Sequence, residues 1–386
     1  MNSDSMMKVV VAAAGALLLV LILWDAFEAI ILPRRVTRKF RLARLFYRST
    51  WAVWSSLAAR TRSEKLREGC LSVYGPLSML VLLGVWACGL IFGFALIHRS
   101  AGGITIATGE APSFGLDLYW SGTTFFTLGL GDIVPRTSLE RLLAVFEAGT
   151  GFGFLALVIG YLPILYQGFS RREVNISLLD ARAGSPPTAW ELLRRHGQGQ
   201  NFPALGQLLH EWERWSAELL ETHLSYPVLS YFRSQHDNQS WLAALTAILD
   251  TCALGITGIE GRPNWQARLT FAMARHAAVD LAQIFSAAPR AMPQDRLPKV
   301  ELERLRTTLA AAGVPLATGA EADHKLAELR LMYEPYVQSL AEYFKLQLPP
   351  WIPVGDAYHN WRTSAWQRSL AGIAATAAVD EDDEHM

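Results

Sequence analysis

Three long stretches without a charged residue mark the first half of the chain, and charge-rich text with helical periodicity fills the second. Cys70 to Ile97 is the longest. Its twenty-eight residues give roughly 42 Å of helix, more than the ~30 Å hydrocarbon core of a bilayer demands. Ala148 to Ser170 is also uncharged and long enough to span. Val9 to Trp24 gives only sixteen such residues, but continuing to Leu32 completes a span with Asp25 and Glu28 near its end. A cleaved signal peptide is the rival reading there, since Lys8 precedes an apolar core, yet no small-residue cleavage site follows Trp24. Between the second and third spans, Tyr119 to Phe126 reads as a short helix that runs into Thr127-Leu128-Gly129-Leu130-Gly131-Asp132.

After Arg172 the pattern predicts soluble helices over about 187–196, 202–224, 226–256, 264–287, 298–312 and 321–347, separated by Pro and Gly clusters. Asn175 to Leu179 reads as a short extended linker. The run Tyr226 to Trp241, with Arg233, His236 and Asp237, is unusually polar for a helix and fits a buried polar network, a subunit contact or a ligand site. Some two hundred residues suffice for a sizeable core, so an all-α domain is expected, ending in an acidic tail at Asp380 to Glu384. The expected organisation is 1–32 N-terminal span, 33–69 basic interfacial segment, 70–172 the second and third spans with the loop between them, 173–186 linker, 187–370 helical domain and 371–386 tail.

Composition agrees with a membrane part joined to a soluble one: 51% of the 386 residues are hydrophobic and 18% charged. Net charge is zero but unevenly spread. Between Pro33 and Gly69 eleven Lys and Arg face only Glu64 and Glu68, an excess of about nine positive charges beside a span. The positive-inside rule puts this segment in the cytoplasm, with the N-terminus outside and the third span exiting inside at Arg171-Arg172. Phe40 to Trp54 mixes aromatics with arginines and reads as an interfacial amphipathic helix, a membrane feature rather than a nucleic-acid one. Arg38, Arg41, Arg44 and Arg48 have the spacing of a voltage sensor, but they do not lie in an apolar span. Asp25 and Glu28, on one helix face, are expected to pair with Arg34, Arg35 or Arg38. Three cysteines without a spacing pattern argue against disulfides or a thiolate metal site.

Non-helical backbone at membrane depth is tolerated only where protein buries it or where it lines a watery path. Glycines at 129 and 131 permit backbone angles that turn carbonyls toward a common axis, which is how a dehydrated cation can be held and still released. At Thr127-Leu128-Gly129-Leu130-Gly131-Asp132 the chain resembles the pore domain of potassium channels. Tyr119 and Trp120 resemble that family's pore-helix aromatic pair, Pro135 follows at the family's distance, and Gly151 falls where small bacterial members carry an inner-helix gating glycine. The resemblance covers about residues 74–170. It implies outer helix, pore helix, filter and inner helix, four identical chains around one axis, and K+ held by carbonyls of Thr127, Leu128, Gly129 and Leu130, with the Thr127 hydroxyls at the inner end. Asp132 would sit at the outer mouth, attracting cations and, by resemblance, accepting a hydrogen bond from the Trp120 indole. Leu130 stands where the family usually has tyrosine and removes a bracing hydroxyl.

The fold expected is therefore an all-α membrane protein: a potassium-channel-like pore domain, an extra N-terminal transmembrane helix and an all-α cytosolic domain. Glu147 is an intramembrane carboxylate and a functional candidate on that ground; it is expected behind the filter, bonded to Thr123 or Thr124, so that Glu147→Ala would change inactivation or open probability. Gly151 is read as a hinge by resemblance, with close packing as the alternative. Pro163 should kink the inner helix, with Tyr161, Ile164 and Leu165 as an apolar constriction nearby. The function expected is a potassium-selective channel in the cell membrane, homotetrameric, gated at the inner helix and regulated through its C-terminal domain by an unknown cytosolic partner. A weakly selective cation channel, and a membrane-tethered scaffold with a vestigial pore, are the alternatives. No cofactor beyond the permeant K+ is expected, nor an enzyme, since no nucleophile, metal or phosphate-loop constellation appears.

Overall fold

A computed structural model describes residues 3–32, 41–102, 104–106, 113–198, 202–234, 238–259 and 265–353. Arg34, Arg35 and Arg38, residues 235–237 of the polar run and the acidic tail lie outside them. The chain forms two compact units, one of residues 1–169 with 223–232, the other of 170–222 with 233–386.

The first unit holds α1 (Ser3–Ile30), α2 (Leu42–Ala59), α3 (Glu64–Ala101), a short pore helix α4 (Phe114–Phe125) and most of α5 (Ser138–Ala183). α1 lies along α3. Leu19, Ile22 and Ala26 of the first, with Leu82, Leu83, Trp86, Leu90 and Phe94 of the second, make the core into which Phe125 of α4 also inserts. The opposite sides of α1 and α3 stay apolar and exposed, with Val9, Leu17, Val20, Leu80 and Val85 facing outward, as lipid-facing surfaces must. α2 begins at the foot of α1, and its own N-cap residue Arg41 makes no side-chain cap. Asp25 supplies one instead: its carboxylate accepts from the Ala43 amide at 3.0 Å and from the Trp86 indole at 3.0 Å. Glu28 takes the Trp24 indole at 2.7 Å and lies 3.5 Å from Arg41. The two carboxylates thus tie α1 to the start of α2 and to α3.

Among the described residues the one strand pairing is β1 (Ile104–Ile106) with β2 (Ile133–Pro135), antiparallel, with Ile104 opposite Pro135 and Ile106 opposite Ile133. It fastens the chain leaving the pore loop to the chain leaving α3.

α5 is longer than the expected inner helix. It runs without interruption through Pro163 and on through Asn175–Leu179, where an extended linker is expected, to Ala183. Ile176 and Leu179 are buried; their i, i+3 spacing gives the segment an apolar helical face, and that packing prevails over the β-branched and polar residues around them.

The second unit comprises the end of α5, then α6 (Ala189–Gln198), α7 (Phe202–Ser225) up to Thr222, α8 (Trp241–Gly258), α9 (Trp265–Ile284), α10 (Lys299–Ala311), α11 (Ala320–Leu331) and α12 (Glu334–Phe344). Two expected helices divide. The 226–256 stretch becomes a 3-10 turn at Pro227–Tyr231 and then α8, which the Ser240 hydroxyl caps by accepting from the Ala243 amide at 3.0 Å. The 321–347 stretch breaks before Glu334-Pro335, because proline favours the first turn of a new helix over the interior of an old one.

α8 is apolar and long enough to cross a bilayer, but 83% of its apolar window is buried, against 17%, 39% and 11% for α1, α3 and α5. It is the core of the second unit. Asp250 in its middle is met by Arg296 at 2.7 Å and by the Tyr333 hydroxyl, while Arg296 also donates to Glu334 at 3.2 Å and to the Pro349 carbonyl at 2.7 Å. Burial works against the Arg296 charge, but this carboxylate cluster raises its pKa above the ordinary arginine value. On α6, burial acts to raise the Glu191 carboxyl, yet Arg194 and Arg195 hold it below the usual range.

Candidate functional site

The pore helix α4 starts at Ser113, whose hydroxyl accepts from the Leu116 amide at 3.4 Å. Its inner face buries Asp117, Trp120, Ser121, Thr123 and Phe125. The last turn winds directly into the loop, with the Thr127 amide donating to the Thr124 carbonyl at 3.0 Å and the Leu128 amide to Thr123 at 2.8 Å. The negative end of the helix dipole therefore lies at Thr127, where a cation is favoured.

From there the backbone alternates in handedness. Thr127, Gly129 and Gly131 have φ of 56°, 58° and 81°, while Leu128 and Leu130 between them stay in ordinary negative-φ space. Alternation of this kind lets successive carbonyls turn toward the same side of the loop. A Cβ on Gly129 or Gly131 would meet nothing within 4 Å; the backbone angle, not crowding, calls for glycine. Thr127 holds the left-handed conformation despite its branched side chain, a strain of about 1–2 kcal/mol of the sort that clusters at functional sites. Beyond the loop, Asp132 is tied by its own Oδ1 to the Ile133 amide at 3.1 Å. The group that reaches Asp132 from the pore helix is the Tyr119 hydroxyl, which donates to Oδ2 at 2.9 Å, not the Trp120 indole.

Trp120 faces the other way, its ring 4.3 Å from that of His98 at the end of α3. Glu147 is fully buried, as a carboxylate backing the loop should be, but its partners are not Thr123 or Thr124. It meets the Ser121 hydroxyl with one oxygen and His98 Nε2 at 2.9 Å with the other. Thr123 instead bonds back to the Trp120 carbonyl of its own helix at 2.9 Å, because its side chain points along α4. His98 Nδ1 lies 2.7 Å from Glu140. His98, Glu140 and Ser121 escaped the sequence reading. A signal was present: Glu140 and Glu147 are seven apart, two turns on one helix face, with a histidine closing the apolar run opposite.

Gly151 packs where α5 crosses the end of α4. A Cβ there would fall 1.9 Å from the Phe125 carbonyl oxygen, so its role in this packing is contact. Near Pro163, Tyr161 and Leu165 do not stand free as a constriction. They are buried, with Phe169, against Val228, Leu229, Tyr226 and Phe232, while Ile164 is exposed. Tyr231 of the same 3-10 turn lies among Tyr47, Trp51 and Tyr74, with ring centroids 5.2–5.7 Å away. Among the described residues no group of three or more His, Cys, Asp or Glu side chains could hold a metal ion; the cation ligands that the loop offers are backbone oxygens.

Residues 81–167 match the model of a family described as "Ion channel". The chain is 28% identical over 183 residues to the "Uncharacterized membrane protein YdjJ" of Bacillus subtilis (strain 168), covering 47% of this chain and 52% of that one. It is 26% identical over 147 residues to the human "Potassium voltage-gated channel subfamily KQT member 4", covering 37% of this chain and 18% of that one. The matches thus span about half of the first relative's length and less than a fifth of the second's. No solved structure matches the chain with significance.

Proposed function

We propose, from the match of residues 81–167 to an ion-channel family model, that the protein is a potassium channel built from four copies of the chain. The observation that carries this reading is the alternating backbone of Thr127-Leu128-Gly129-Leu130-Gly131 at the C-terminal end of a buried pore helix. Repeated around an axis, the carbonyls of Thr127 to Leu130 make stacked oxygen rings that replace an ion's water shell. In one chain Phe126, Leu128, Leu130 and the α5 residues Val145, Phe146, Phe152 and Leu155 are exposed. An apolar surface of that extent at a pore loop fits cover by lipid and further copies. Asp132, steadied by Tyr119, lies at the outer mouth. The N-terminus lies outside, and the basic segment and the C-terminal helical domain lie in the cytoplasm.

Gating is placed on α5, between its contact at Gly151 and Pro163. The packing of Tyr161, Leu165 and Phe169 against residues 226–232 supports regulation through the C-terminal domain, since both flanks of that segment belong to the second unit. The regulator is a cytosolic factor of unknown chemistry. Weak selectivity is the second reading: Leu130 has no hydroxyl with which to brace the loop.

Purified protein in liposomes, loaded in turn with K+ and Na+ gradients, tests the proposal. K+ flux should exceed Na+ flux, and Gly129→Ala should abolish it by placing a side chain at a positive φ. Equal fluxes would select the weakly selective reading; no flux of either ion would overturn the channel.

A further inference from the structure

Behind the pore loop, four polar groups form one chain from the inner helix to the outer: Glu140, His98, Glu147 and Ser121, the last also 2.8 Å from the Ile91 carbonyl. His98, Glu140, Glu147 and Ser121 are all fully buried. Each of the four contacts needs a proton between its heavy atoms, and the donors and acceptors allow few ways of placing them. The Ile91 oxygen can only accept, so the single Ser121 proton goes to it. The contact between Ser121 and Glu147 must then carry a proton of Glu147, donated to the serine oxygen. The other oxygen of Glu147 accepts from His98 Nε2–H. Nδ1 of His98 faces Glu140, and helix ends decide where that proton resides. Glu140 lies in the first turn of α5, where a negative charge is favoured, and His98 in the last turn of α3, where a positive one is.

We propose that this is a proton-binding site, in which a neutral Glu147 carboxylic acid and a His98 imidazolium paired with the Glu140 carboxylate fasten the pore helix to α3 and α5. The set is then neutral overall and fully bonded, the condition under which buried ionic groups are tolerated. Among the described residues Asp117 of α4 and Arg99 of α3 also face it, 3.5 Å apart and paired with each other. His98 and Glu147 act as positioning residues for the loop: Ser121 lies on α4, six residues before Thr127 in the loop that follows it. Loss of the Glu147 proton turns the single Ser121 proton from the Ile91 carbonyl to the Glu147 carboxylate, so the Ser121 bond to α3 is lost and the brace weakens as pH rises.

The two carboxylates should consequently respond in opposite ways to the same change, which rests on the channel reading only for its flux arm. Glu147→Gln preserves every bond, since the amide donates to Ser121 and its oxygen accepts from His98. Its K+ flux should show no fall at alkaline pH, where that of the wild type falls. Glu140→Gln and His98→Gln remove a buried charge partner, and their flux should drop by about tenfold or more. Infrared spectra of purified protein should show a carboxylic-acid carbonyl band that disappears in Glu147→Gln. A tolerated Glu140→Gln with a dead Glu147→Gln, or no such band in the wild type, overturns the proposal. A wild type that shows the band but passes no ion would sink the channel and leave the proton site standing.

Discussion

Glycine stands at 129, 131 and 151 for two different physical reasons. At 129 and 131 space is open and the backbone angle is the constraint; at 151 the angle is ordinary and the Phe125 carbonyl leaves no room. Gly151→Ala should therefore overpack the crossing of α4 and α5 and cost about 1–3 kcal/mol, read as a lower unfolding temperature in detergent. A pure hinge would change opening and spare stability. Glu147 could be picked out from the sequence because a charge in a span is conspicuous. Its partners could not: Thr123, Thr124 and Ser121 all lie within one turn of α4, and only the rotation of that helix decides that Ser121 faces α5. His98 was harder still, since a histidine at the end of an apolar run looks like a boundary residue until a second helix brings Glu140 and Glu147 against its two nitrogens.

Among the elements, α1, α3, α4, α6, α7, α9 and α10 form close to where the sequence places them. The departures come where a long-range contact outweighs local text. Residues 226–232 read as the start of a helix, yet they form a 3-10 turn because Tyr231 and Phe232 have aromatic partners on α2, α3 and α5 to fill. Truncating an aromatic side chain in such a cluster costs about 3–5 kcal/mol. Tyr231→Ala should release the segment, making residues 226–232 more readily cut by a protease of broad specificity and shifting open probability in bilayer recordings. Cutting at the wild-type rate would mean that the ring cluster does not hold the turn. The same logic explains α5, whose continuation to Ala183 depends on burial of Ile176 and Leu179 rather than on any helix-forming run.

At the scale of the whole molecule, a membrane unit and a helical unit obey different solvents. The second hides its most apolar helix, α8, and supports the charges it buries with partners. Glu191 is one of these. Arg194 and Arg195 depress its pKa in the folded protein, so its contribution to stability is full above the unfolded value of about 4.3 and is lost as pH falls through the lower folded one. Thermal unfolding followed by circular dichroism should show stability falling on acidification below pH ~4, with a shallower fall in Glu191→Gln. Span number, the pore-loop motif and the all-α character were legible along the chain, because bilayer thickness and backbone angles act on consecutive residues. What meets Asp250 inside α8, which hydroxyl reaches Asp132 and what surrounds Glu147 were settled only by folding. Those contacts join residues 13 to 83 positions apart, and no periodicity along a single helix records how another is turned to meet it.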